Sequence, residues 1–315
     1  MATKGGDKIW HNGELIPWDD AKIHVLSHVV HYGSSLFEGI RCYDTPSGPA
    51  VFRLRDHLDR LIASARIVGF RDLPYDVDAL TDAVKQTIVA NELGACYIRP
   101  LIYLAEGGMN LSVDSGKVHA GIAAWAWDSY HGERTAEEGI RCNVSSYTRH
   151  HPNVMPTRSK VAGNYVNSFL ARTESSRLGF DDAIMLDPSG YVAECTGENL
   201  FLVKRGRIYT PPLAAVLEGI TRDTVVTLAG DLGFDLTEEM IVRDRLYDAD
   251  EVFLCGTAAE IVGAREIDFR PVGNGRVGPV TRRMQETFRS VVRAQHPRST
   301  QWLDYVDEQR VRRVV

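Results

Sequence analysis

At 315 residues the chain has the length of about two ordinary domains, and its 44% apolar and 25% charged residues are the composition of a globular protein. A net charge of −6 with dispersed basic residues gives no electrostatic footprint for nucleic acid, and no apolar run reaches membrane-spanning length. Five scattered cysteines without a Cys-x-x-Cys pair argue against a disulfide framework or a zinc site, and the start Met1-Ala2-Thr3-Lys4 lacks an apolar signal core, so the expected location is cytoplasmic.

In chain order, Lys8-Ile9-Trp10 and Glu14-Leu15-Ile16 flank Asn12-Gly13, the strongest short hairpin signal. A second strand pair is expected over Leu36 to Tyr43 and Ala50 to Arg53, joined across Pro46-Ser47-Gly48. Asp56 is expected to cap a helix with Leu58, Leu61, Ile62 and Ala65 as its apolar stripe. Asp76 starts another, with Leu80, Val84 and Ile88 inward and Gly94 ending it. Strand-like runs Cys96 to Ala105 and Val118 to Trp127 close the first half.

A polar stretch follows, which divides the chain into a small N-terminal α/β domain (1–127), a linker (128–138) and a larger C-terminal α/β domain (139–315). The second domain reads as a strand from Ile140 to Tyr147, a helix from Tyr165, and three short strands at 183–186, 191–195 and 200–203. A helix from Thr221 ended by Gly233, a buried strand Val252 to Cys255 and a final long helix opened by Pro279 complete it. The fold class is α/β of the α+β type: two mixed domains with antiparallel hairpins rather than a regular β-α alternation.

Chemistry is concentrated in a few places. Lys160 lies in Pro156-Thr157-Arg158-Ser159-Lys160-Val161-Ala162-Gly163-Asn164-Tyr165, where small neighbours let a bulky electrophile approach an amine. Glu194 shares a strand face with Val192, so either that face is solvated or a carboxylate points inward and needs a cationic or protonated partner. Leu217-Glu218-Gly219-Ile220-Thr221-Arg222 is either an ordinary capped helix or a helix N-terminus that suits a phosphate. Cys255-Gly256-Thr257-Ala258-Ala259 is either a tight turn or a place where a ligand meets the backbone. Arg99, inside an apolar run, needs an anion, either a fixed carboxylate or a substrate. His150-His151 adjoin with no further ligand, so no metal is expected. A lysine, a candidate buried carboxylate, a phosphate cradle and a carboxylate reader are together the parts of a pyridoxal phosphate enzyme.

The chain resembles the fold-type IV pyridoxal phosphate enzymes and, among them, the bacterial branched-chain amino acid aminotransferases. The resemblance runs through His31-Tyr32-Gly33, Phe37-Glu38-Gly39-Ile40-Arg41, Tyr97-Ile98-Arg99-Pro100, Lys160, Gly163-Asn164-Tyr165, Glu194, Gly197-Glu198-Asn199-Leu200-Phe201, Gly219-Ile220-Thr221-Arg222 and Gly256-Thr257-Ala258-Ala259-Glu260. It implies two mixed domains with pyridoxal 5′-phosphate between them. Lys160 would be the catalytic Schiff-base lysine, Glu194 the partner of the pyridine nitrogen and Tyr165 that of the phenolic oxygen. Arg60, Ile220, Thr221 and Thr257 would hold the phosphate, with Leu217 and Gly219 also among the cofactor-binding residues, and only the resemblance singles out Arg60, which lies off its helix's apolar stripe.

For the substrate it implies a carboxylate site at Thr257, Ala258, Tyr97 and Arg99. The side-chain pocket would be formed by Phe37, Gly39, Trp127, Tyr130 and Tyr165, with Tyr32 and Met109 from a neighbouring subunit, and hence a homodimer at least, with hexamers in the family. The implied activity is reversible ping-pong transfer of the amino group of L-leucine, L-isoleucine or L-valine to 2-oxoglutarate. A D-amino acid aminotransferase, an (R)-amine transaminase and an aminodeoxychorismate lyase are the alternatives on the same fold. Arg158, Val161-Ala162, Glu218 and Cys195 depart from the family's usual residues.

Overall fold

In the computed structural model, which describes residues 6–107, 109–127 and 133–307, Asn12 and Gly13 take φ of 50° and 99° and join Lys8–His11 to Glu14–Pro17 in the expected hairpin. Positive φ at both turn positions matches the twist of the flanking strands. The chain divides into two units, Met1–Asp128 with Ser159–Gly163 and Val291–Val315, and Ser129–Arg158 with Asn164–Ser290. Ser159–Gly163, which carries Lys160, and the chain from Val291 therefore group with the first unit, whereas the expectation put them in a C-terminal domain. Strand pairing is the reason: Val161 bridges Leu36, and Leu303–Tyr305 pairs with Gly48–Phe52. Residues 128–132 of the expected linker lie outside the described residues, and Glu133–Glu138 form a short helix.

Among its described residues the first unit has an eight-stranded sheet, with Cys96–Gly107 paired to Ile40–Thr45, Ser35–Phe37 and Gly116–Ala126. Ile40, Cys42, Cys96, Ile98, Ile102, Ala120, Ile122 and Ala124 turn one face of it to the helices. These are Leu54–Ile67 and Val77–Ala90, whose stripes Leu58, Leu61, Ile62, Ala65 and Leu80, Val84, Ile88 are buried as their spacing requires. Asp76 caps the second helix by accepting from Ala79 N at 2.8 Å. The first begins three residues earlier than expected, because Arg53 adopts a left-handed N-cap (φ 51°) and Asp56, now in the first turn, accepts from Arg53 Nε at 2.6 Å. The second ends at Ala90 rather than at Gly94.

Among its described residues the second unit is built on a nine-stranded mixed sheet. Asn199–Lys204 pairs with Glu251–Gly256 on one side and, at Glu194↔Asn199, with Val192–Cys195 on the other, which closes the strand path into a ring. Its core holds Ile140, Ile184, Leu200, Leu202, Val252, Leu254 and Val262. The helices Tyr165–Arg177, Ile220–Asp231 and Pro279–Val292 start where the sequence places them, within one residue. The last is capped from the sheet, where buried Glu251 accepts from Val280 N at 3.0 Å and from Thr281 N at 2.8 Å. Among the described residues no helix is long and apolar enough to cross a membrane, and no cluster of ligating side chains suits a metal ion.

Candidate active site

The helix Leu54–Ile67 organises the first group of site residues. On its flank, Ser64 accepts the backbone N–H of Lys160 through Oγ at 3.1 Å, and its carbonyl accepts from Ser159 Oγ at 3.0 Å. Lys160 O accepts in turn from Phe37 N at 3.2 Å, and Lys160 Nζ lies 5.0 Å from the centre of the Phe37 ring. The lysine main chain is thus fixed by two hydrogen bonds, with a third from the neighbouring Ser159 side chain, while its own side chain rests on an aromatic face. One turn before Ser64, Arg60 forks onto Glu38, with Nε to Oε1 and Nη2 to Oε2 both at 2.7 Å, and His57 Nδ1 donates to Glu38 Oε2 at 2.7 Å. Burial raises the Glu38 pKa, but the charge of Arg60 and the bonds from His57 and Arg60 outweigh it and hold the group far below the ordinary carboxylate range.

Beside this group, Arg41, Tyr97 and Trp125 stand side by side across three strands. Tyr97 packs on Trp125 and Trp127 with ring centroids at 5.2 and 4.8 Å. Arg99 stacks over Phe37 at 4.7 Å, takes Tyr97 Oη as a long acceptor at 3.3 Å, and its buried Nε has no partner among the described residues. A side chain on Gly39 would collide with Tyr97 Oη, which explains glycine there. The structure so brings Lys160, Arg60, Phe37, Gly39, Tyr97, Arg99 and Trp127 into one unit. Tyr32 Oη donates to Met109 O at 3.0 Å, and both residues are exposed. Tyr130 lies outside the described residues.

Glu194 anchors the second group and points inward, since both faces of its strand are covered and it is 6% exposed. Its Oε1 meets Arg149 Nη2 at 2.8 Å, and its Oε2 accepts from Leu217 N at 3.1 Å and Asn199 Nδ2 at 3.2 Å. Asn199 also donates to Leu217 O at 3.1 Å, and a side chain on Gly219 would strike Asn199 Oδ1. Glu194, Leu217 and Gly219 are therefore tied by one amide, with Ile220 and Thr221 opening the helix that follows. Thr257 and Ala258 sit in the turn between Glu251–Gly256 and Glu260–Ile267, where a side chain on Gly256 would crowd Gly197 O and Glu198 Cγ. Tyr165 opens its own helix after Asn164, which donates to Pro156 O at 3.0 Å. Two of the departing residues meet each other, Arg158 Nε lying 2.8 Å from Glu218 Oε1.

Sequence reasoning missed Arg149, Asn199, Glu38, His57 and Ser64. Arg149 is 45 residues from its partner in sequence, and nothing local marks it. Glu38 does carry a signal: an ionisable side chain in an apolar run asks for a counter-charge, the argument applied to Arg99.

Under the Glu194 hairpin lies a buried acid pair. Asp182 Oδ1 accepts from Thr196 Oγ1 at 2.6 Å, Arg172 Nη1 lies 2.8 Å from Oδ2, and Glu198 Oε2 accepts from Gly197 N at 3.1 Å. Burial, then the charge of Asp182, push the Glu198 pKa well above its ordinary 4.5, so the pair holds a proton to higher pH than a free carboxyl does. A raised folded-state pKa contributes stability that is complete below 4.5 and is lost as pH rises through the folded value. Glu198→Gln, which cannot titrate and still offers Asp182 a donor, is expected to match the wild type in urea at pH 4.5 and to exceed it increasingly towards pH 9. An equal pH dependence of the two midpoints would contradict the shared proton.

The family model for class IV amino-transferases matches residues 35–267. The chain belongs to that family. It is 48% identical to the branched-chain-amino-acid aminotransferase of Pseudomonas aeruginosa, covering 96% of this chain and 98% of the relative. Its structure matches the Escherichia coli branched-chain amino acid aminotransferase with a TM-score of 0.93 at 45% identity, over 96% of this chain and 100% of the other. It matches the branched-chain amino acid aminotransferase of Thermobaculum terrenum in its PLP-form with a TM-score of 0.90 at 35% identity, over 96% and 99%.

Class IV aminotransferases work with pyridoxal 5′-phosphate, and the residues present fit that group. The 12-residue helix Ile220–Asp231 has glycine as its N-cap and no side-chain cap, so the positive end of its dipole is open to a phosphate. Glu194 is a buried carboxylate suited to a protonated ring nitrogen. Arg99 Nε is a buried donor suited to an anionic substrate.

Proposed function

We propose that this protein is a branched-chain amino acid transaminase that reversibly transfers the amino group of L-leucine, L-isoleucine or L-valine to 2-oxoglutarate with pyridoxal 5′-phosphate. The observation that carries the reading is Glu194, a carboxylate taken out of water and held by Arg149, Leu217 and Asn199 on a strand of a class IV chain. The named relatives, matched over nearly their full length, support the substrate class.

When bound, the cofactor supplies a protonated ring that draws electron density from the amino-acid Cα. Lys160 Nζ would hold the cofactor and then move the proton between Cα and C4′. Glu194 would keep the proton on the ring nitrogen, and Tyr165 would donate to the phenolic oxygen. Arg60, Ile220, Thr221 and Thr257 would hold the phosphate, and Leu217 and Gly219 would also touch the cofactor. Tyr97, Arg99, Thr257 and Ala258 would read carboxylate groups, while Phe37, Gly39, Trp127, Tyr130 and Tyr165 would line an apolar pocket for a branched side chain.

Tyr32 and Met109 would serve a neighbouring subunit. Exposed Val25, Leu26, Val30, Tyr32, Met109 and Leu111 in the same unit support a homodimer at least. Five free, buried cysteines fit a cytoplasmic enzyme.

The test is the absorbance of the lysine-bound cofactor as L-leucine, D-alanine and an (R)-amine are added separately. Fastest loss of the band with L-leucine is expected. Formation of D-glutamate from 2-oxoglutarate, or a protein that takes up no cofactor, overturns the reading.

A further inference from the structure

We propose that Glu38, braced by His57, is a positioning residue that sets the guanidinium of Arg60 for the cofactor phosphate. The inference rests on Arg60 being a phosphate ligand, as read above. Arginine carries about 2 kcal/mol of side-chain entropy, and an unrestrained one must be ordered at the moment its anion arrives. Here the ordering is built in. Glu38 is fully buried, its backbone N donates to Pro100 O at 2.9 Å, and its two oxygens accept the Nε and Nη2 edge of Arg60. That planar two-bond fork fixes the plane and direction of the Arg60 guanidinium.

His57, 1% exposed, fixes the carboxylate from the other side. Burial lowers the His57 pKa against the pull of Glu38, so the ring is neutral near pH 7 and the Glu38–Arg60 charges balance. The same helix sets the distance to the reactive amine. Arg60 and Ser64 are four residues apart, a rise of about 6 Å, and Ser64 holds the Lys160 main chain. Phe37 adds a link, because it precedes Glu38 and donates to Lys160 O.

Glu38 has two opposed effects on a phosphate. It offsets part of the charge of Arg60, which weakens attraction, and it fixes direction, which strengthens binding. Geometry dominates in this inference, so loss of the clamp weakens binding, whereas a merely charge-balancing carboxylate predicts tighter binding when removed. Glu38 and His57 are both buried, with Glu38 bonded to His57 and to Arg60, so the effect is expected on cofactor binding rather than on the amino-acid substrate.

The experiment measures cofactor dissociation constants for the full chain as wild type, Glu38→Gln, His57→Ala, His57→Asn and Arg60→Met, with melting curves for each. Glu38→Gln and His57→Ala are expected to weaken binding by about 10- to 100-fold, the effect of losing a hydrogen bond to a charged group. His57→Asn, whose Nδ2 replaces the Nδ1 donor, is expected to restore most of the loss, and KM for L-leucine at saturating cofactor should not move. If Glu38→Gln does not fold, the two His57 variants decide. Folded Glu38→Gln or His57→Ala protein that binds the cofactor as tightly as the wild type, while Arg60→Met does not, overturns the positioning role alone. Wild-type binding by Arg60→Met instead overturns the phosphate reading of Arg60.

Discussion

Lys160→Ala is expected to lower transamination of L-leucine by at least about 10⁴-fold while leaving the fold intact, since it removes the amine proposed as both covalent anchor and proton carrier. The two halves of that expectation rest on different atoms. Activity depends on Nζ, which lies over Phe37, whereas the local structure depends on the Lys160 main chain, whose N–H is bound by Ser64 and whose carbonyl is bound by Phe37. Alanine keeps both main-chain bonds. Kinetics of L-leucine turnover and a melting curve check the two halves separately, and a folded variant with more than about a tenth of wild-type kcat would remove Lys160 from the chemistry.

Glu194→Gln is expected to cost both activity and stability. The buried Arg149 guanidinium loses its counter-charge, for which about 3–5 kcal/mol of destabilisation is expected, and the pair is 8% exposed on each side, so solvent screening is slight. Loss of the carboxylate proposed to pair with the ring nitrogen is expected to reduce kcat by about 10²- to 10³-fold, the scale of a preorganised electrostatic contact. The double variant Glu194→Gln with Arg149→Met separates the effects. No unpaired charge remains, and glutamine still accepts from Leu217 N, so urea unfolding is expected to recover while kcat stays low. Recovery of kcat in the double variant would mean that Glu194 serves only to pair Arg149.

Local rules made much of the fold legible. The Asn12-Gly13 turn, the Asp76 cap, the stripe Leu58-Leu61-Ile62-Ala65 and Pro279 at the start of the last long helix each depend on neighbours within a few residues. What the sequence left open are long-range pairings. Val161 adds itself to Leu36, and so carries the lysine stretch into the first unit; no periodicity within 156–165 foretells that. The inward direction of Glu194, left open by its alternation with Val192, is settled by Arg149 from a distant loop.

The site followed the same division. Lys160, Glu194 and the turn at Thr257 stand out as unusual residue types in their surroundings. Arg60 does not, because a charged residue off an apolar stripe looks solvated until Glu38, 22 positions earlier, is seen to hold it.

The first unit is assembled from three separated stretches of chain, and its edge strand Leu303–Tyr305 is among the last described residues to be synthesised. Its sheet therefore cannot be completed as the N-terminal half leaves the ribosome. Until residues 303–305 arrive, Gly48–Phe52 remains a bare edge with unpaired main-chain groups, a template for pairing with other nascent chains. Folding of the first unit must wait for translation of the second, and truncation before residue 303 should send the product into aggregates rather than leave an independent domain.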